Sequence, residues 1–468
     1  MEATNLWRTL TALTIVSLCG CTVGPDYSRP AVETPTTFKE IDGWRVANPR
    51  DIPNEHWWTI YDDPVLDGLV AEVEVSNQNL KAAEAAYRQS VALVGEARSA
   101  YWPTVDANAS ALRANAGTTG NGSRAILSVS SGATWEIDVW GKIRRNVESE
   151  VAGAQASAGD LAAARLSAQS LLAQQYFQLR IDDELERLLF ETADAYELSL
   201  KITVNRYNAG TAARSDVTAA QTQVESTRAQ AIAVGVQRAQ LEHAIAVLMG
   251  KPPSQFSIAK APLMTDVPVV PPDLPSALLE RRPDVAAAER RVASANAQIG
   301  VAVAAYYPDI TLTASYGFLG SALDNLIRAQ NAVWSVGPQL AQTVFDGGLR
   351  SSEVEAARAA YDQSVANYRQ TVLTSFQQVE DQLAALRILD QQARGQDRAV
   401  KAAIETEQLT VNQYKAGTVA YTAVIVAQAQ ALQNRETAIN ILGSQLTASV
   451  SLIQAIGGGW SAEELPAP

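Results

Sequence analysis

The sequence predicts an α+β fold built from two similar halves, in which pairs of amphipathic β-strands alternate with very long α-helices. Three observations support this prediction. Proline is absent from residues 104 to 251, and after Pro338 it is absent until Pro466, as long helices require. Residues Val204–Thr211 (VNRYNAGT) recur as Val411–Thr418 (VNQYKAGT). Short segments between the helical tracts alternate apolar and polar side chains, which is typical of half-exposed strands.

The recurrence extends along the chain and indicates a tandem duplication. Ala100–Pro103 matches Ala305–Pro308, and the landmarks follow the same order in both halves. A repeat of roughly 200 residues is much longer than a solenoid unit. We therefore expect two copies of one structural unit, joined by a proline-rich centre that begins at Lys251.

Each copy is expected to contain three helices. The first spans about Pro64–Ala100 in one copy and Pro283–Ala304 in the other. The second is much longer, at about Lys142–Tyr207 and Arg350–Tyr414. Each of these would be ~98 Å long. Apolar residues step by three and four positions along these tracts, so we expect helices to pack side by side along their length.

A sharp turn is expected after each long helix. Gly210 and Gly417 stand where a helix can end in the left-handed conformation. The third helix of the first copy then ends near Leu248, which gives a long antiparallel hairpin. The expected caps of the two third helices are Thr211, Ser215, Thr418 and Thr422.

Two strands are predicted between the first and second helices of each copy. Ile310, Leu312 and Ala314 alternate strictly with Thr311 and Thr313. The other expected apolar strand positions are Val105, Ala107, Ala109, Ala111, Leu127, Val129, Ala133, Trp135, Ile137, Tyr316, Phe318, Trp334, Val336, Pro338 and Leu340. Loops are expected at about 117–124 and 320–331.

The strands have the length that crosses a bilayer when tilted. A sheet in lipid must close, because lipid cannot satisfy an open edge. Four strands cannot close a barrel, so several chains must contribute to one. Three chains would give twelve strands around a lumen. A soluble sandwich with a helical stalk is the alternative interpretation.

Composition narrows the functional classes. The chain is 47% hydrophobic, which excludes global disorder, and its net charge of −13 argues against a nucleic-acid surface. His56, His243, Cys19 and Cys21 are its only histidines and cysteines, too few for a metal cluster or a disulfide framework. No apolar run is long enough for a membrane-spanning helix. We predict no enzyme activity, no cofactor and no metal.

His243 and the pair Trp57 and Trp58 are candidates for a catalytic or ligand-binding role, but packing explains each of them better. His243 is the best available general base, but it lies on an apolar helix end, where a packed, hydrogen-bonded histidine is expected. Trp57 and Trp58 could form a ligand platform, but a packing role is favoured.

The N-terminus has the pattern of a secretory signal. Arg8 precedes the nine-residue apolar run Leu10–Leu18, which is too short to span a membrane. The sequence Leu18-Cys19-Gly20-Cys21 then resembles the lipobox of bacterial lipoproteins. The pattern predicts removal of residues 1–20, acylation of Cys21 and a lipid-anchored mature chain.

Several segments resemble the TolC-like outer-membrane factor family, in particular its OprM/NodT-type efflux lipoproteins. These are the segment after the lipobox, Cys21–Pro30; the strand-to-helix junctions Trp135–Gly141 and Phe345–Gly348; and Leu279–Asp284 with the helix that leads to Tyr307-Pro308. On this basis we expect a lipidated segment at 21–63, efflux repeats at 64–250 and 275–457, an equatorial linker at 251–274 and a tail at 458–468.

The resemblance implies a homotrimer in the outer membrane. Its twelve-stranded β-barrel, with four strands per chain, would continue into a long periplasmic α-helical barrel. Such proteins are exit ducts of tripartite efflux systems, together with a periplasmic adaptor and an inner-membrane pump of the RND type. The duct of a type I secretion system remains an alternative, as does a periplasmic scaffold lipoprotein.

The resemblance also places adaptor contact at the two hairpin tips. The expected contact residues are Arg206, Tyr207, Gly210, Thr211, Tyr414, Lys415, Gly417 and Thr418. Relatives often carry Asp-Ala-Gln beyond the second tip and an arginine soon after, but here Val426 and Ala429 occupy these positions. Gln413 likewise stands where an arginine would be expected.

These departures argue against an acidic ring at Val426. The candidate gate residues are instead Arg206, Asp216, Tyr207 and Tyr414, with closure mainly by packing. Asp216 has an equally good alternative role, because a carboxylate at a helix N-terminus is favoured by the helix dipole.

Overall fold

The computed structural model describes residues 22–40, 56–115, 123–263, 267–268 and 278–466. The predicted signal sequence, Cys21, most of the first predicted loop and part of the expected linker lie outside these residues.

In the described residues, the first repeat contributes two strands and four main helices, and the second contributes two strands and three main helices. The elements of the first repeat are α1 (Pro64–Ser76), α2 (Gln78–Ser99), β1 (Thr104–Asn115), β2 (Ser123–Glu136), α3 (Lys142–Asn208) and α4 (Arg214–Leu248). Those of the second are α5 (Pro283–Ala304), β3 (Asp309–Gly320), β4 (Ala332–Ala341), α6 (Leu349–Lys415) and α7 (Tyr421–Ala455). The described residues also form short helices at Trp57–Tyr61, Pro253–Gln255, Leu278–Arg281, Ala329–Asn331 and Ala462–Glu464.

The helix boundaries confirm the duplication. Helices α3 and α6 each contain 67 residues, and α4 and α7 each contain 35. Both pairs begin and end at positions 207 residues apart, as 349 − 142, 415 − 208, 421 − 214 and 455 − 248 show. Helices α2 and α5 each contain 22 residues. The two halves of the chain therefore fold into nearly the same structural unit.

The first helix was predicted as one piece, and this is wrong. Asn77 separates α1 from α2 because its backbone is extended, with φ −62° and ψ 124°. Its side chain accepts hydrogen bonds from the backbone N–H groups of Asn79 and Leu80, at 2.9 and 3.1 Å. It also donates to the Leu248 carbonyl at 2.9 Å. An asparagine can thus end one helix, cap the next and fasten both to the end of α4.

The predicted helix caps are also wrong. The residues before α4 and α7 are Ala213 and Ala420, neither of which has a capping side chain. The hydroxyls of Thr211 and Thr418 instead donate backwards to the carbonyls of Arg206 and Gln413. These threonines therefore close the end of the preceding helix, because its last carbonyl groups lack helical partners.

The strands form one antiparallel sheet in the order β1-β2-β3-β4. The register brings the predicted apolar positions to one face, where Val105 pairs with Ala133, Ala133 with Ala314, and Ala314 with Val336. The opposite face is polar. There the hydroxyls of Ser110 and Ser128, and those of Ser315 and Ser335, are each 2.8 Å apart. The predicted alternation is confirmed.

The helices pack in a fixed lateral order. Near the sheet the order is α6-α5-α3-α2, and towards the tips it is α6-α7-α3-α4. The sheet continues the same order, with β4 at one edge and β1 at the other. One side of the chain is therefore formed by α6 and β4, and the other by α2, α4 and β1.

The main core lies midway along the long helices, where the segments that contain Phe38 and Trp57–Tyr61 pack against them. Trp57 and Trp58 are buried, and the Trp57 indole donates to Gln169 at 3.1 Å. This agrees with the packing role predicted for the pair. Residues 22–26 contact the first repeat, and residues 27–40 run over the second, where Glu380 accepts hydrogen bonds from the backbone N–H groups of Lys39 and Glu40.

A buried charge network, which the sequence did not predict, fastens the segment after α4. Arg180 donates to Asp183 at 3.0 Å and to the Ala259 carbonyl at 2.7 Å. Arg238 donates to Asp183 at 2.6 Å and to the Ile258 carbonyl at 2.7 Å. The two arginines thereby pair with one carboxylate and hold the equatorial segment against α3 and α4.

Candidate functional site

The two hairpin turns lie at the end of the molecule farthest from the sheet. Gly210 and Gly417 both adopt the left-handed conformation, with φ 74° and 77°. Their N–H groups bond to the carbonyls of Tyr207 and Tyr414, at 2.9 and 3.0 Å. The predicted role of glycine in these turns is confirmed, because other L-residues adopt this conformation only at a cost.

Arg206 joins the first tip to the second. Its guanidinium lies 4.6 Å from the centre of the Tyr414 ring. The same group donates to the carbonyls of Tyr414 and Lys415, at the C-terminus of α6. A cation is favoured here both by the aromatic face and by the negative end of the helix dipole. We call Arg206 and Tyr414 the tip latch.

A small apolar core supports the tip latch. Tyr414 is 5% exposed and packs with Tyr421, Val424 and Ala220. The Tyr414 and Tyr421 ring centres are 5.1 Å apart. Burial, with a smaller contribution from Tyr414, raises the pKa of the Tyr421 hydroxyl to about 12. Tyr421 was not among the predicted site residues, although it begins α7 directly after the turn.

The corresponding contacts of the first tip are weaker. Tyr207, the counterpart of Tyr414, is 40% exposed, and the Arg214 guanidinium lies 5.8 Å from its ring centre. Gln413 occupies the position that corresponds to Arg206. The tips therefore differ: within one chain only the second tyrosine is covered.

Asp216 takes the alternative role considered for it. Its carboxylate accepts a hydrogen bond from the Ala213 backbone N–H at 3.4 Å, at the start of α4. This contact satisfies a backbone donor at a helix N-terminus. Asp216 makes no ion pair with any residue in the described part of the chain, and its role as a gate residue stays a prediction.

Val426 and Ala429 are exposed on α7. Ala429 borders a groove of about 640 Å³ between α4 and α7, which runs over α3. The groove is lined mainly by uncharged polar side chains, among them Gln223, Ser226 and Gln230. The buried side-chain oxygen of Gln223 has no hydrogen-bond partner among the described residues. The groove thus offers mainly uncharged hydrogen-bonding groups, together with the carboxyl group of Glu436.

Asp182 is a buried acid close to the charge network described above. It is 4% exposed, and one of its carboxylate oxygens has no hydrogen-bond partner within the described ranges. Burial raises its pKa to about 6, although Gln178 donates to its other oxygen. Arg238 is near enough to oppose this rise and Asp183 adds to it.

The histidine predicted to be packed is not. His243 is exposed, because it lies on the outer side of α4 in the single chain. The described residues contain no cluster of His, Cys, Asp and Glu that could hold a metal ion. Among them, no helix is both long enough and apolar enough to cross a membrane.

The segment that would follow a lipidated cysteine lies at the base of the sheet. Val23 N–H donates to the Trp140 carbonyl at 3.0 Å, between β2 and α3. Arg145 donates to Asp26 at 2.7 Å. Trp140 stacks on Tyr307, with ring centres 4.8 Å apart. Aromatic side chains of this kind are enriched at membrane interfaces.

Comparison with known proteins shows the same architecture elsewhere. The sequence pattern of the family described as outer membrane efflux protein matches residues 69–251 and 274–458. The toluene efflux pump outer membrane protein TtgC of Pseudomonas putida is 30% identical over 463 residues, which are 96% of this chain and 95% of that protein.

Two further relatives extend this result. The probable outer membrane lipoprotein SilC of Salmonella typhimurium is 28% identical and covers 97% of this chain and 99% of its own length. The structure of the outer-membrane channel OprN superposes with a TM-score of 0.89 at 27% identity, over 94% of this chain and 100% of that one. The predicted fold class and resemblance are confirmed.

Proposed function

The chain belongs to the outer membrane efflux protein family, and we propose that three copies of it form the exit duct of a tripartite efflux system. It is an outer-membrane efflux channel. The duct is passive in this account and catalyses no reaction.

The observation that carries the proposal is the pair of open sides. At one side of the chain, β4 pairs with β3 but its outer edge has no partner among the described residues, and α6 has neighbours only on its inner side. At the other side, β1, α2 and α4 are outermost. A sheet in lipid must be closed. Closure requires β1 of one copy to pair with β4 of the next, which also brings α6 of one copy against α2 and α4 of its neighbour.

The duplication supports the same joint. Inside one chain, Ile181 on α3 packs into the space where Gly443 on α7 lacks a side chain. Adding 207 to the first position and subtracting it from the second gives Ile388 on α6 and Val236 on α4. Ile388 and Val236 are 54% and 62% exposed in the single chain. They are positioned to repeat the internal contact between copies.

Three copies give twelve strands, enough for a lumen, whereas two would give eight and a filled interior. The apolar face of the sheet then faces lipid and the polar face lines the lumen. Aromatic residues such as Trp140 and Tyr307 lie at the base of the sheet, where the periplasmic surface of the outer membrane would be.

The lipid anchor fits this arrangement. Thr22 contacts Gly141 at the base of the sheet, so acyl chains on Cys21 would start at membrane level. SilC, which is similar over 97% of this chain, is described as a probable outer membrane lipoprotein. Labelled palmitate should enter the wild type and not Cys21→Ser; equal labelling of both would exclude this anchor.

The hairpin tips are the proposed adaptor contact. They are farthest from the membrane, and Tyr207, Gly210, Thr211, Lys415 and Gly417 are exposed there. The groove between α4 and α7 offers hydrogen-bonding side chains beside the tips. An adaptor that binds the open form better than the closed form shifts the equilibrium towards opening. Beyond the adaptor, an inner-membrane pump of the RND type supplies the cargo.

The tip latch is the proposed resting closure. It fastens the first hairpin to the second by one cation, one ring and two carbonyl groups. The exposed Tyr207 is positioned for a similar contact with Gln413 of the neighbouring copy. Closure would then depend on packing and on Arg206, without an acidic ring at Val426.

Two measurements on the purified protein test the assembly and the duct. Its mass in detergent should be about three times that of the mature chain, and reconstitution in a planar bilayer should give single-channel conductance. A stable monomer with full β-sheet content would exclude the assembly. A trimer that conducts neither at rest nor after Arg206→Ala would exclude the duct.

A further inference from the structure

The side chains at the outer end of the polar sheet face are apolar, although the rest of that face is not. The register assigns Asp106, Asn108 and Ser110 to this face of β1, followed by Leu112 near the outer end. Leu112 pairs with Ile126, the first described side chain of this face on β2. The change from polar to apolar thus occurs on both strands at the same level.

The second repeat shows the same change independently. On β3, Thr313, Ser315 and Gly317 lead to Leu319 at the outer end. On β4, Val333 is the outermost residue of this face, and Ser335 comes next. Leu112, Ile126, Leu319 and Val333 are 59%, 36%, 49% and 48% exposed. Each strand therefore carries a large, accessible apolar side chain near the outer end of this face.

The loop after β3 does not cover these side chains. Leu326 lies against Gly320, whose position in the register belongs to the apolar, outer face. Asn331 holds this fold of the loop by donating to the Asn325 carbonyl at 2.8 Å. The loop thus folds back over the lipid-facing side and leaves the polar face open.

We infer that Leu112, Ile126, Leu319 and Val333 of three copies form an apolar collar inside the outer mouth of the lumen, and that it binds organic cations with apolar groups as they leave. This rests on the proposed trimeric duct. A collar of apolar side chains that is exposed to water costs free energy. Contact with passing solutes therefore accounts for it better than a contribution to barrel stability does.

Charge favours a cation as the occupant. Asp106 lies on the same face below the collar and makes no ion pair with a described residue. Six residues separate it from Leu112, or about 20 Å along the strand. Three such carboxylates would concentrate cations in the lumen. The collar would then retain those cations that carry apolar groups.

The test is block of single-channel current by tetrabutylammonium added at the outer side, with tetramethylammonium as the control of equal charge. Wild-type channels should be blocked by the first at much lower concentration. Leu319→Ser should weaken this block by about fourfold, the change that one lost methylene contact produces. The double variant with Leu112→Ser should weaken it further.

Two matched variants serve as controls for the block experiment. Leu319→Met keeps the apolar character and should preserve the block. Thr134→Ser removes a methyl group from the same face at the lower end of β2 and should also leave it unchanged.

Conducting Leu319→Ser channels with unchanged block would overturn the collar and leave the duct standing. Equal block by the two ammonium ions in the wild type would do the same. Absence of conductance in every variant would overturn the duct and the collar together.

Discussion

The long helices of the two repeats have the same lengths, but the surroundings of their side chains differ. Arg180 and Asp183 of the first repeat are 5% and 3% exposed at their side chains, inside a network with Arg238. Their counterparts in the second repeat, Arg387 and Asp390, are 37% and 50% exposed. The first long helix is enclosed by its own chain, whereas the second lies at an open side.

The hairpin tips show the same difference. Tyr414 is covered by Arg206 from the other hairpin, while Tyr207 remains exposed because its counterpart contact would come from another copy. Duplication thus gives each joint twice, once within the chain and once between chains. The internal joint can be inspected directly, and it indicates what the external joint should resemble.

The largest effect is expected from proline in the tip turns. Gly210→Pro and Gly417→Pro place a residue limited to negative φ where φ is 74° or 77°, and each removes an N–H that bonds to a tyrosine carbonyl. Export should be lost while the trimer persists in outer-membrane fractions. Gly395→Ala, at an uncrowded helix position, is the control and should export normally. Normal export by both proline variants would show that the tips are not the contact site.

A smaller effect is expected from the tip latch, and it should be unequal between the two tips. Arg206→Ala and Tyr414→Ala should each raise resting conductance several-fold in a planar bilayer, because they remove a contact worth about 1 kcal/mol or more at each of three joints. Gln413→Ala should change it less. Arg206→Lys should not restore closure, since lysine lacks the planar group that stacks on a ring.

Conductance measured for the double variant Tyr207→Ala with Tyr414→Ala sharpens the comparison. Most of the increase in conductance over the wild type should come from Tyr414→Ala. Tyr207→Ala alone should therefore raise the conductance only slightly. If Asp216→Asn opened the channel and the tyrosine variants did not, closure would be electrostatic and the tip latch would be wrong.

Asp182 should contribute a pH-dependent loss of stability. Below pH about 4 the carboxyl is protonated in both folded and unfolded chains, so it costs nothing. As pH rises towards 6 the unfolded chain releases this proton and the folded chain retains it, because burial raises the folded pKa to about 6. Asp182→Asn should therefore raise the unfolding temperature by a few degrees at pH 8 and leave it unchanged near pH 4.

Asp183→Asn is the matched control. Asp183 accepts hydrogen bonds from two arginines, so its neutralisation should lower the unfolding temperature at pH 8. An identical response of the two variants to pH would contradict the assignment of Asp182 as the unpaired acid.

The smallest effect is expected for Asp216→Asn. Its carboxylate makes one long hydrogen bond at the start of α4, so the change in stability should stay within about 0.5 kcal/mol. Resting conductance should equal that of the wild type in the bilayer assay.

Sequence periodicity predicted the long helices, strands and turns because each depends on local patterns. The positions of Gly210 and Gly417, the alternation around Ile310 and the start of α5 at Pro283 all agree with the structure. The break at Asn77 was missed because its cause is partly distant, a hydrogen bond to the Leu248 carbonyl.

The site was predicted in part for the same reason. Arg206 and Tyr414 stood out as tip residues, but their contact joins the two repeats and has no local signature. The buried network could have been suspected, since Arg180 and Asp183 recur at the same spacing as Arg387 and Asp390. Its distinguishing member, Arg238, has Gln445 as its counterpart, so the repeat alone gives no indication of it.

Disulfide trapping between Val236→Cys and Ile388→Cys tests the central claim, that an internal joint is repeated between copies. At the internal joint, a Cβ at Gly443 would lie 3.7 Å from that of Ile181, which suits a disulfide. The control pair Ile181→Cys and Gly443→Cys should therefore oxidise within one chain and migrate as a monomer. The Val236→Cys and Ile388→Cys pair should give dimers and trimers on a non-reducing gel, with no larger species. Oxidation of the control pair while this pair stays monomeric would contradict the account.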